Sequence, residues 1–152
     1  MISYHQATKA PSFEQGFAPV SSQMDCLAKQ VVDGAFKVHL ALGPGLLESV
    51  YETCLTHELR KRGLHVQTQV AFPIVYDAVS LDAGLRIDLV VENLLLVEIK
   101  AVEAMQPVFE AQLLTYLKLT QKRLGLLINF NVTKIKDGIK RIILSNLRVL
   151  VP

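Results

Sequence analysis

The sequence predicts an α/β fold in which a mixed sheet is flanked by helices, with the element order ααβββαββ. Two stretches near the N-terminus repeat apolar residues at the spacing of an amphipathic helix. Five later stretches are rich in apolar and β-branched residues and are bounded by turn-forming residues, which is typical of strands. One helical stretch separates the third strand from the fourth. Elements in this order are expected to pack as layers around one core.

The three helices have clear limits in the sequence. The first is predicted over residues 24–42, because the Gly-Pro-Gly triplet at 43–45 ends it. The second is predicted over residues 46–62 and ends at Gly63, a residue that favours helix C-termini. The third begins near Pro107, since proline is well tolerated in the first turn of a helix.

The strands are predicted from alternation and from turn residues. The first, residues 64–76, contains Pro73, which lacks the N–H that a central strand needs. This strand is therefore expected to lie at an edge or to carry a bulge. A hairpin over residues 84–100 supplies the second and third strands, with its polar turn at Glu92-Asn93. The remaining strands are predicted at residues 124–130 and 139–144, with a short last one near 148–151.

Length and composition agree with one globular domain. The chain has 152 residues, of which 51% are hydrophobic and 20% charged, as in ordinary folded domains. We assign residues 24–152 to the domain. Residues 1–23 are rich in Ser, Gln, Pro and Gly and are expected to be a flexible segment rather than a signal peptide. No apolar run reaches the roughly 20 residues that cross a bilayer, so no membrane partner is expected.

Several kinds of chemistry lack their motifs. The two cysteines, Cys26 and Cys54, match no metal-binding spacing, and we expect both to be buried apolar residues in a reducing cytoplasm. The histidines show no metal-ligand spacing, and no serine or cysteine sits on a nucleophile elbow. The Gly-Pro-Gly triplet lacks the lysine of a phosphate-binding loop, which argues against nucleotide hydrolysis of that type.

Charged residues interrupt the otherwise apolar strands of the hairpin. With the turn centred on Asn93, Asp88 lies across from Glu98, and Arg86 lies across from Lys100. Because side chains alternate with a period of two, all four are expected to project from one face of the sheet. Burying ionised groups there costs several kcal/mol unless they are paired or bind a metal.

This charged set fits two interpretations. Two carboxylates suit Mg²⁺ or Mn²⁺, which keep waters in their remaining coordination positions. Such a metal would position a water and neutralise charge on a phosphoryl oxygen. Lys100 would orient or deprotonate that water, or stabilise the transition state. The alternative is an ordinary cross-strand cluster of ion pairs, with Asp88 and Glu98 bound to Arg86 and Lys100 on a solvent-facing side.

Asp88 followed by Glu98-Ile99-Lys100 resembles the motif of the PD-(D/E)XK nuclease superfamily, with Asp on one core strand and Glu-x-Lys on the next. Gly45-Leu-Leu-Glu48-Ser-Val-Tyr51 resembles the signature of the GxxExxY proteins, a group within that superfamily. Further similar stretches are residues 58–63, 111–118 and 125–131. The resemblance covers residues 25–145 and implies a restriction-endonuclease-like fold with Mg²⁺- or Mn²⁺-dependent nuclease activity on DNA.

The resemblance also implies roles for individual residues. Asp88 and Glu98 would ligate the metal, with Glu48 as a third acidic ligand and Lys100 as the catalytic lysine. Arg86 would steady a phosphate. Glu48 also has a simpler interpretation, because a glutamate in the first turn of a helix interacts favourably with the helix dipole and caps exposed amides.

Three more residues are candidates with open alternatives. Tyr51 lies three residues after Glu48, and it would either hydrogen-bond to the site or pack in the core with its hydroxyl satisfied. Gln112 and Tyr116 share a face of the third helix at i, i+4 spacing. By resemblance to the Gln-x-x-x-Tyr element of RecB-like nucleases, they would contact a metal-bound water, a phosphate or a base. Alternatively, Gln112 is an exposed surface residue and Tyr116 belongs to the core.

The charge of the chain is unevenly distributed, although the net value is only +2. A basic C-terminal third beside an acidic cluster suits a nucleic acid held across a metal site. The alternative is a set of solvated strand-edge charges that discourage aggregation. Eight basic residues oppose only Asp137 in this region: Lys118, Lys122, Arg123, Lys134, Lys136, Lys140, Arg141 and Arg148.

Together these features predict a cytoplasmic, Mg²⁺- or Mn²⁺-dependent nuclease whose partner is a nucleic acid, with DNA as the expected substrate. A homodimer or a partner subunit is compatible with this activity, since cutting two strands needs two sites. Two alternatives stay open at the level of the sequence. One is a catalytically silent nucleic-acid-binding module of the same fold, and the other is a protein-interaction module whose charged hairpin mediates assembly.

Overall fold

The computed structural model describes residues 20–145. The predicted α/β class and the order ααβββαββ are confirmed. The short last strand expected near 148–151 and residues 1–19 lie outside the described residues. The elements are α1 (Ser22–Leu42), α2 (Glu48–Lys61), β1 (Val66–Tyr76), β2 (Val79–Val91), β3 (Leu95–Lys100), α3 (Pro107–Thr120), β4 (Leu124–Asn129), a short 3-10 helix (Ile135–Gly138) and β5 (Ile139–Ile143).

The five strands form one mixed sheet in the order β1-β2-β3-β4-β5. Neighbouring strands run antiparallel except β3 and β4, which run parallel because α3 connects them as a crossover. Helices cover both faces of the central strands, so β4 is buried along its whole length. None of the helices within residues 20–145 is long and apolar enough to cross a membrane.

Two apolar cores lie on opposite faces of this sheet. The α1/α2 core lies under the first two helices, and the α3 core lies under the third. The α1/α2 core includes Val31, Leu55, Leu89, Val97 and Leu126. The α3 core includes Leu85, Ile87, Leu96, Leu113 and Leu127.

The first helix corrects two sequence-based expectations. It begins at Ser22, where the hydroxyl of the N-cap Ser21 accepts a hydrogen bond from the N–H of Met24 at 3.2 Å. The helix therefore begins two residues before its predicted start at residue 24. Cys26 is exposed rather than buried, because Leu27 takes the core-facing position beside it. Cys54 is half-buried, and both thiols are free.

The hairpin of β1 and β2 is longer than the sequence indicated. The second strand begins at Val79, directly after a turn at residues 77–78, whereas alternation predicted its start at residue 84. Pro73 lies where the pairing register shifts, between Phe72 and Ile74, and its strand is an edge of the sheet. The expectation of an edge or a bulge at this proline is thus confirmed.

The same hairpin changes its core-facing side at Asp88. The pairing register is the same on both sides of this point, but the pair Gln69–Asp88 is missing from it. Gln69 has a φ of 50°, a left-handed conformation far from that of a strand. Strict alternation would keep residues 87 and 89 on one face, so the break reverses the faces of β2. Beyond the break Leu89 and Val91 pack in the α1/α2 core, whereas before it Leu85 and Ile87 pack in the α3 core.

Candidate active site

The hairpin of β2 and β3 has the register that the sequence predicted. Its turn is centred on Asn93, which adopts a left-handed φ of 54°. Leu89 pairs with Val97 across the two antiparallel strands. The next position along both strands therefore brings Asp88 opposite Glu98.

Hydrogen bonds between main chain and side chains hold the two carboxylates together. The N–H of Asp88 donates to Oε1 of Glu98 at 3.1 Å, and the N–H of Ile99 donates to Oδ2 of Asp88 at 2.9 Å. Regular backbone pairing ends at Leu89–Val97, and these contacts replace it. Both acids are consequently fixed at the point where the two strands separate.

Glu98 is a buried carboxylic acid, with only 4% of its surface exposed. Burial raises the pKa of Glu98 from 4.5 to about 8, and the charge of Asp88 is the second cause. Among residues 20–145, no lysine or arginine forms an ion pair with either carboxylate. The cluster of cross-strand ion pairs is therefore not formed, and the two acids lie side by side as possible ligands of a cation.

The side chains of Lys100 and Arg86 project from opposite faces of the sheet. Nζ of Lys100 lies 4.6 Å from the centre of the Phe109 ring of α3. Both neighbours of Arg86 along β2 pack in the α3 core, so its exposed side chain projects from the other face. The prediction that all four charged residues share a face was wrong for Arg86, because the break at Asp88 reverses the strand.

The second helix brings acids to the site from the α1/α2 side. Glu48 lies in the first turn of α2, as predicted. Partial desolvation raises its pKa, the charge of Asp88 raises it further, and the charge of Lys100 lowers it. The pKa of Glu52, one turn later, is raised by desolvation against the opposing effect of a hydrogen bond from Gln69. Glu48 thus lies within electrostatic reach of both Asp88 and Lys100.

Two residues of this cluster were missed by sequence reasoning, Glu52 and Gln69. Nε2 of Gln69 donates to the carboxylate oxygens of Glu52, at 3.1 and 2.9 Å, and to Oδ1 of Asp88 at 3.2 Å. The i, i+4 spacing of Glu48 and Glu52 was a usable signal, since it places both on one helical face. Gln69 gave no signal, because its contacts depend on the irregular pairing of two strands.

Tyr51 belongs to the core rather than to the acidic site. Its ring is fully buried and stacks on Phe130, with centroids 4.6 Å apart. Its hydroxyl donates to the carbonyl of Gly43 at 2.6 Å and accepts from the N–H of Leu46 at 3.1 Å. Tyr51 therefore closes the loop that leads into Glu48, and so it supports the site without contacting it.

Gln112 and Tyr116 approach the acids from the α3 side. Nε2 of Gln112 donates to the hydroxyl of Tyr116 at 2.8 Å, which confirms that the two residues share a helical face. Burial raises the pKa of Tyr116, and the negative charges of Glu98 and Asp88 raise it further. Both side chains are half-buried, so neither is a fully exposed surface residue nor a fully buried core residue.

The acids fit a hard divalent cation. Two adjacent carboxylates, here Asp88 and Glu98, are what a Mg²⁺-type ion commonly takes from a protein, while waters and substrate phosphates complete its shell. Glu48 is a third acid within electrostatic reach. In the part of the chain that the structure describes, no group of three or more His, Cys, Asp or Glu side chains, Glu48 included, is placed so that it could hold a metal ion. The donor set thus suits an ion that keeps much of its water.

The basic C-terminal region is partly neutralised by helical acids. Lys140 forms an ion pair with Glu110, and Arg141 forms one with Asp25. Arg148 lies outside the described residues. The region therefore offers less free positive charge to a nucleic acid than its composition suggested.

The fold and the site together define an α/β protein of the restriction-endonuclease-like class, with Asp on one strand and Glu-x-Lys on the next. The family model of the PD-(D/E)XK nuclease superfamily matches residues 25–142, and the chain belongs to that superfamily. Nucleases of this superfamily act on nucleic acids and generally use divalent metal ions. No curated protein and no solved structure matches the chain.

Proposed function

We propose that the protein is a nuclease that hydrolyses phosphodiester bonds in DNA with Mg²⁺ or Mn²⁺. The observation that carries the proposal is the acid pair of the half-buried Asp88 and the buried Glu98, held side by side through main-chain hydrogen bonds. Removing two like charges from water is costly, so a cation that they share explains why the fold keeps them together. Membership of the superfamily supports the same class of reaction.

Each residue of the site has a task in this proposal. Asp88 and Glu98 hold the cation, and Glu48 is the third acidic ligand. When bound, the cation would neutralise charge on the phosphate and lower the pKa of a water in its shell. Lys100 orients or deprotonates the attacking water, or donates hydrogen bonds to the charge that develops on the phosphate.

Hydrolysis exchanges one ester bond for a bond to water. The water oxygen bonds to phosphorus, the bond to the leaving sugar oxygen breaks, and that oxygen takes up a proton. Gln112 and Tyr116 line the site from the α3 side and contact the attacking water, the phosphate or a base. Arg86 projects from the opposite face of its strand, where it steadies a phosphate away from the acid pair.

We also assign the chain to the GxxExxY group. The structure offers a physical reason for the linked residues of that signature. Gly45 has a φ of 97°, which favours glycine, and Tyr51 closes the loop around it. This closure precedes the start of α2, where Glu48 lies within electrostatic reach of Asp88. A homodimer or a partner subunit would supply a second site for the other strand of a duplex.

A protein-interaction role for the charged hairpin agrees less well with the geometry. In that case Asp88 and Glu98 would diverge or be fully solvated. Instead Glu98 is buried and accepts a hydrogen bond from the N–H of Asp88. A silent nucleic-acid-binding module would share the geometry, so only an activity measurement separates it from a nuclease.

The test is cleavage of single- and double-stranded DNA and of RNA by the purified protein with Mg²⁺, Mn²⁺ or a chelator. Glu98→Gln keeps the shape of the buried side chain and removes the carboxyl group that could ionise to bind a cation. We expect metal-dependent cleavage of DNA that falls by about 100-fold or more in this variant. Glu103→Gln, which changes an exposed glutamate five residues away, is the matched control and should cleave normally.

Two results would contradict the proposal. Binding of DNA without cleavage under every metal condition would assign the chain to the silent modules. Cleavage that persists in Glu98→Gln would place the reaction outside the acid pair.

A further inference from the structure

We propose that Gln69 is a positioning residue of the acidic site: its side-chain amide holds Asp88 and Glu52 in a fixed relation and thereby sets the affinity of the site for a divalent cation. The inference rests on the cation site of the proposed function. It concerns a residue that lacks any charge and lies on the edge strand of the sheet.

The amide of Gln69 joins two carboxylates that would otherwise repel each other. Its nitrogen lies 3.1 and 2.9 Å from the oxygens of Glu52 and 3.2 Å from Oδ1 of Asp88. Ionised carboxylates only accept hydrogen bonds, so the NH₂ group and not the carbonyl of the amide must face them. A neutral donor between two acids keeps them together without cancelling the negative charge that a cation needs.

Asp88 is thereby held at both of its oxygens. Oδ2 accepts from the N–H of Ile99, and Oδ1 accepts from Gln69. A carboxylate held in this way has a fixed orientation relative to Glu98, to which the N–H of Asp88 donates. Partners of this kind orient the groups that bind a metal, and their loss commonly weakens metal binding by about 10–100-fold.

The backbone at Gln69 is adapted to this contact. Gln69 and Asp88 are left unpaired between the regular pairs Thr68–Leu89 and Val70–Ile87, and Gln69 has a φ of 50° there. Left-handed φ values are uncommon for residues other than glycine, asparagine and aspartate. The hydrogen bond from the side chain of Gln69 to the side chain of Asp88 thus links two residues that are not paired in the strand register.

The experiment measures Mn²⁺ binding to the full-length protein by titration calorimetry, with unfolding and DNA cleavage measured on the same samples. Gln69→Met keeps the length of the side chain and removes the amide. Gln69→Gly also removes the amide but suits the left-handed φ. We expect both variants to bind Mn²⁺ at least about tenfold more weakly than the wild type. Gln67→Met, an exposed glutamine on the same strand, is the matched control and should bind Mn²⁺ normally.

The metal dependence of cleavage separates positioning from a merely structural role. If Gln69 acts through cation affinity, the variants need more Mn²⁺ for half-maximal cleavage and recover most of their rate at saturating Mn²⁺. A structural role would lower the stability of both variants and leave the Mn²⁺ affinity of the folded protein unchanged.

The outcomes distinguish this inference from the proposed function. If the wild type cleaves DNA and Gln69→Met binds Mn²⁺ as tightly as the wild type, the role of Gln69 is overturned and the nuclease proposal stands. Weaker Mn²⁺ binding by both variants of a protein that never cleaves would support Gln69 and overturn the nuclease. A wild type that binds no Mn²⁺ and cleaves nothing would overturn both.

Discussion

Replacing Glu98 by glutamine removes an ionisable group that the fold buries almost completely beside a second carboxylate. Glu98 is 4% exposed and its pKa is raised to about 8 in the folded protein, from 4.5, with burial as the main cause. The folded protein therefore keeps a proton that the unfolded chain releases across this pH range. The contribution of Glu98 to the unfolding free energy is therefore fully present below pH 4.5 and is lost as the pH rises towards 8, because this carboxyl group ionises more readily in the unfolded state.

The size of this effect follows from the pKa difference. Each pKa unit corresponds to about 1.4 kcal/mol, so ionising Glu98 costs the metal-free protein about 4–5 kcal/mol between the two values. That amount is a large share of the roughly 5–15 kcal/mol that stabilises a typical domain. Glutamine at this position has no proton to lose. The variant should therefore gain stability relative to the wild type as the pH increases, and the gain should level off above pH 8.

The assay is urea unfolding of both proteins with a chelator at pH 5, 6, 7, 8 and 9. The quantity to compare is the difference in unfolding free energy between Glu98→Gln and the wild type, since other titrating groups are common to both proteins. Glu103→Gln is again the control, because its side chain is exposed. A difference that stays constant within about 1 kcal/mol from pH 5 to pH 8 would refute the reasoning, since Glu98 would then ionise as readily when folded as when unfolded.

Two further substitutions test how the site is supported. Tyr51→Phe should lower the unfolding free energy by about 1–2 kcal/mol, because the hydroxyl makes two hydrogen bonds while the ring stacking is kept; Tyr76→Phe, at an exposed tyrosine, should have little effect in the same urea titration. Gly84→Ala would place a Cβ 2.3 Å from Cγ1 of Ile74 and should lower the unfolding free energy by about 1–3 kcal/mol. Ser80→Ala, in the exposed first half of the same strand, should have little effect on it. Unchanged stability in Tyr51→Phe or Gly84→Ala would contradict the packing described.

The sequence was sufficient for the parts of the site that depend on local geometry. The turn at Asn93 and the alternation of its two strands set the register that brings Asp88 to Glu98, and the structure has this register. The same holds for Gln112 and Tyr116, whose shared face follows from helical spacing alone. Such features need only residues that are close in the chain.

The remaining features depend on contacts between distant segments. The position of Tyr51, three residues after Glu48, allowed both a site role and a core role, and its stacking on Phe130, far along the chain, decides between them. Cys26 was assigned to the core because cysteine is often buried, but its position on the first helix turns it outward. Arg86 was placed on the wrong face because alternation assumes an unbroken strand. The apolar pattern of β2 alone reveals neither the missing Gln69–Asp88 pair nor the reversal of the strand's two faces at that point.

The break at Asp88 explains how one site receives groups from both layers of helices. Side chains of a regular strand belong to one face of a sheet or to the other. Glu48 and Glu52 come from the α1/α2 side, whereas Lys100 and Tyr116 lie on the α3 side, so a continuous sheet would keep them apart.

At Asp88 the regular pairing of β2 is interrupted on both sides, towards β1 and towards β3. Its pair with Gln69 is missing, and backbone pairing with β3 stops one residue away, at Leu89–Val97. Its main-chain N–H and its carboxylate are then free to bond Glu98, Ile99 and Gln69 instead. The opening in the sheet thus lets one carboxylate connect acids from opposite faces. A regular register at this position would restore backbone hydrogen bonds and remove the connection between Glu98 and the acids of α2.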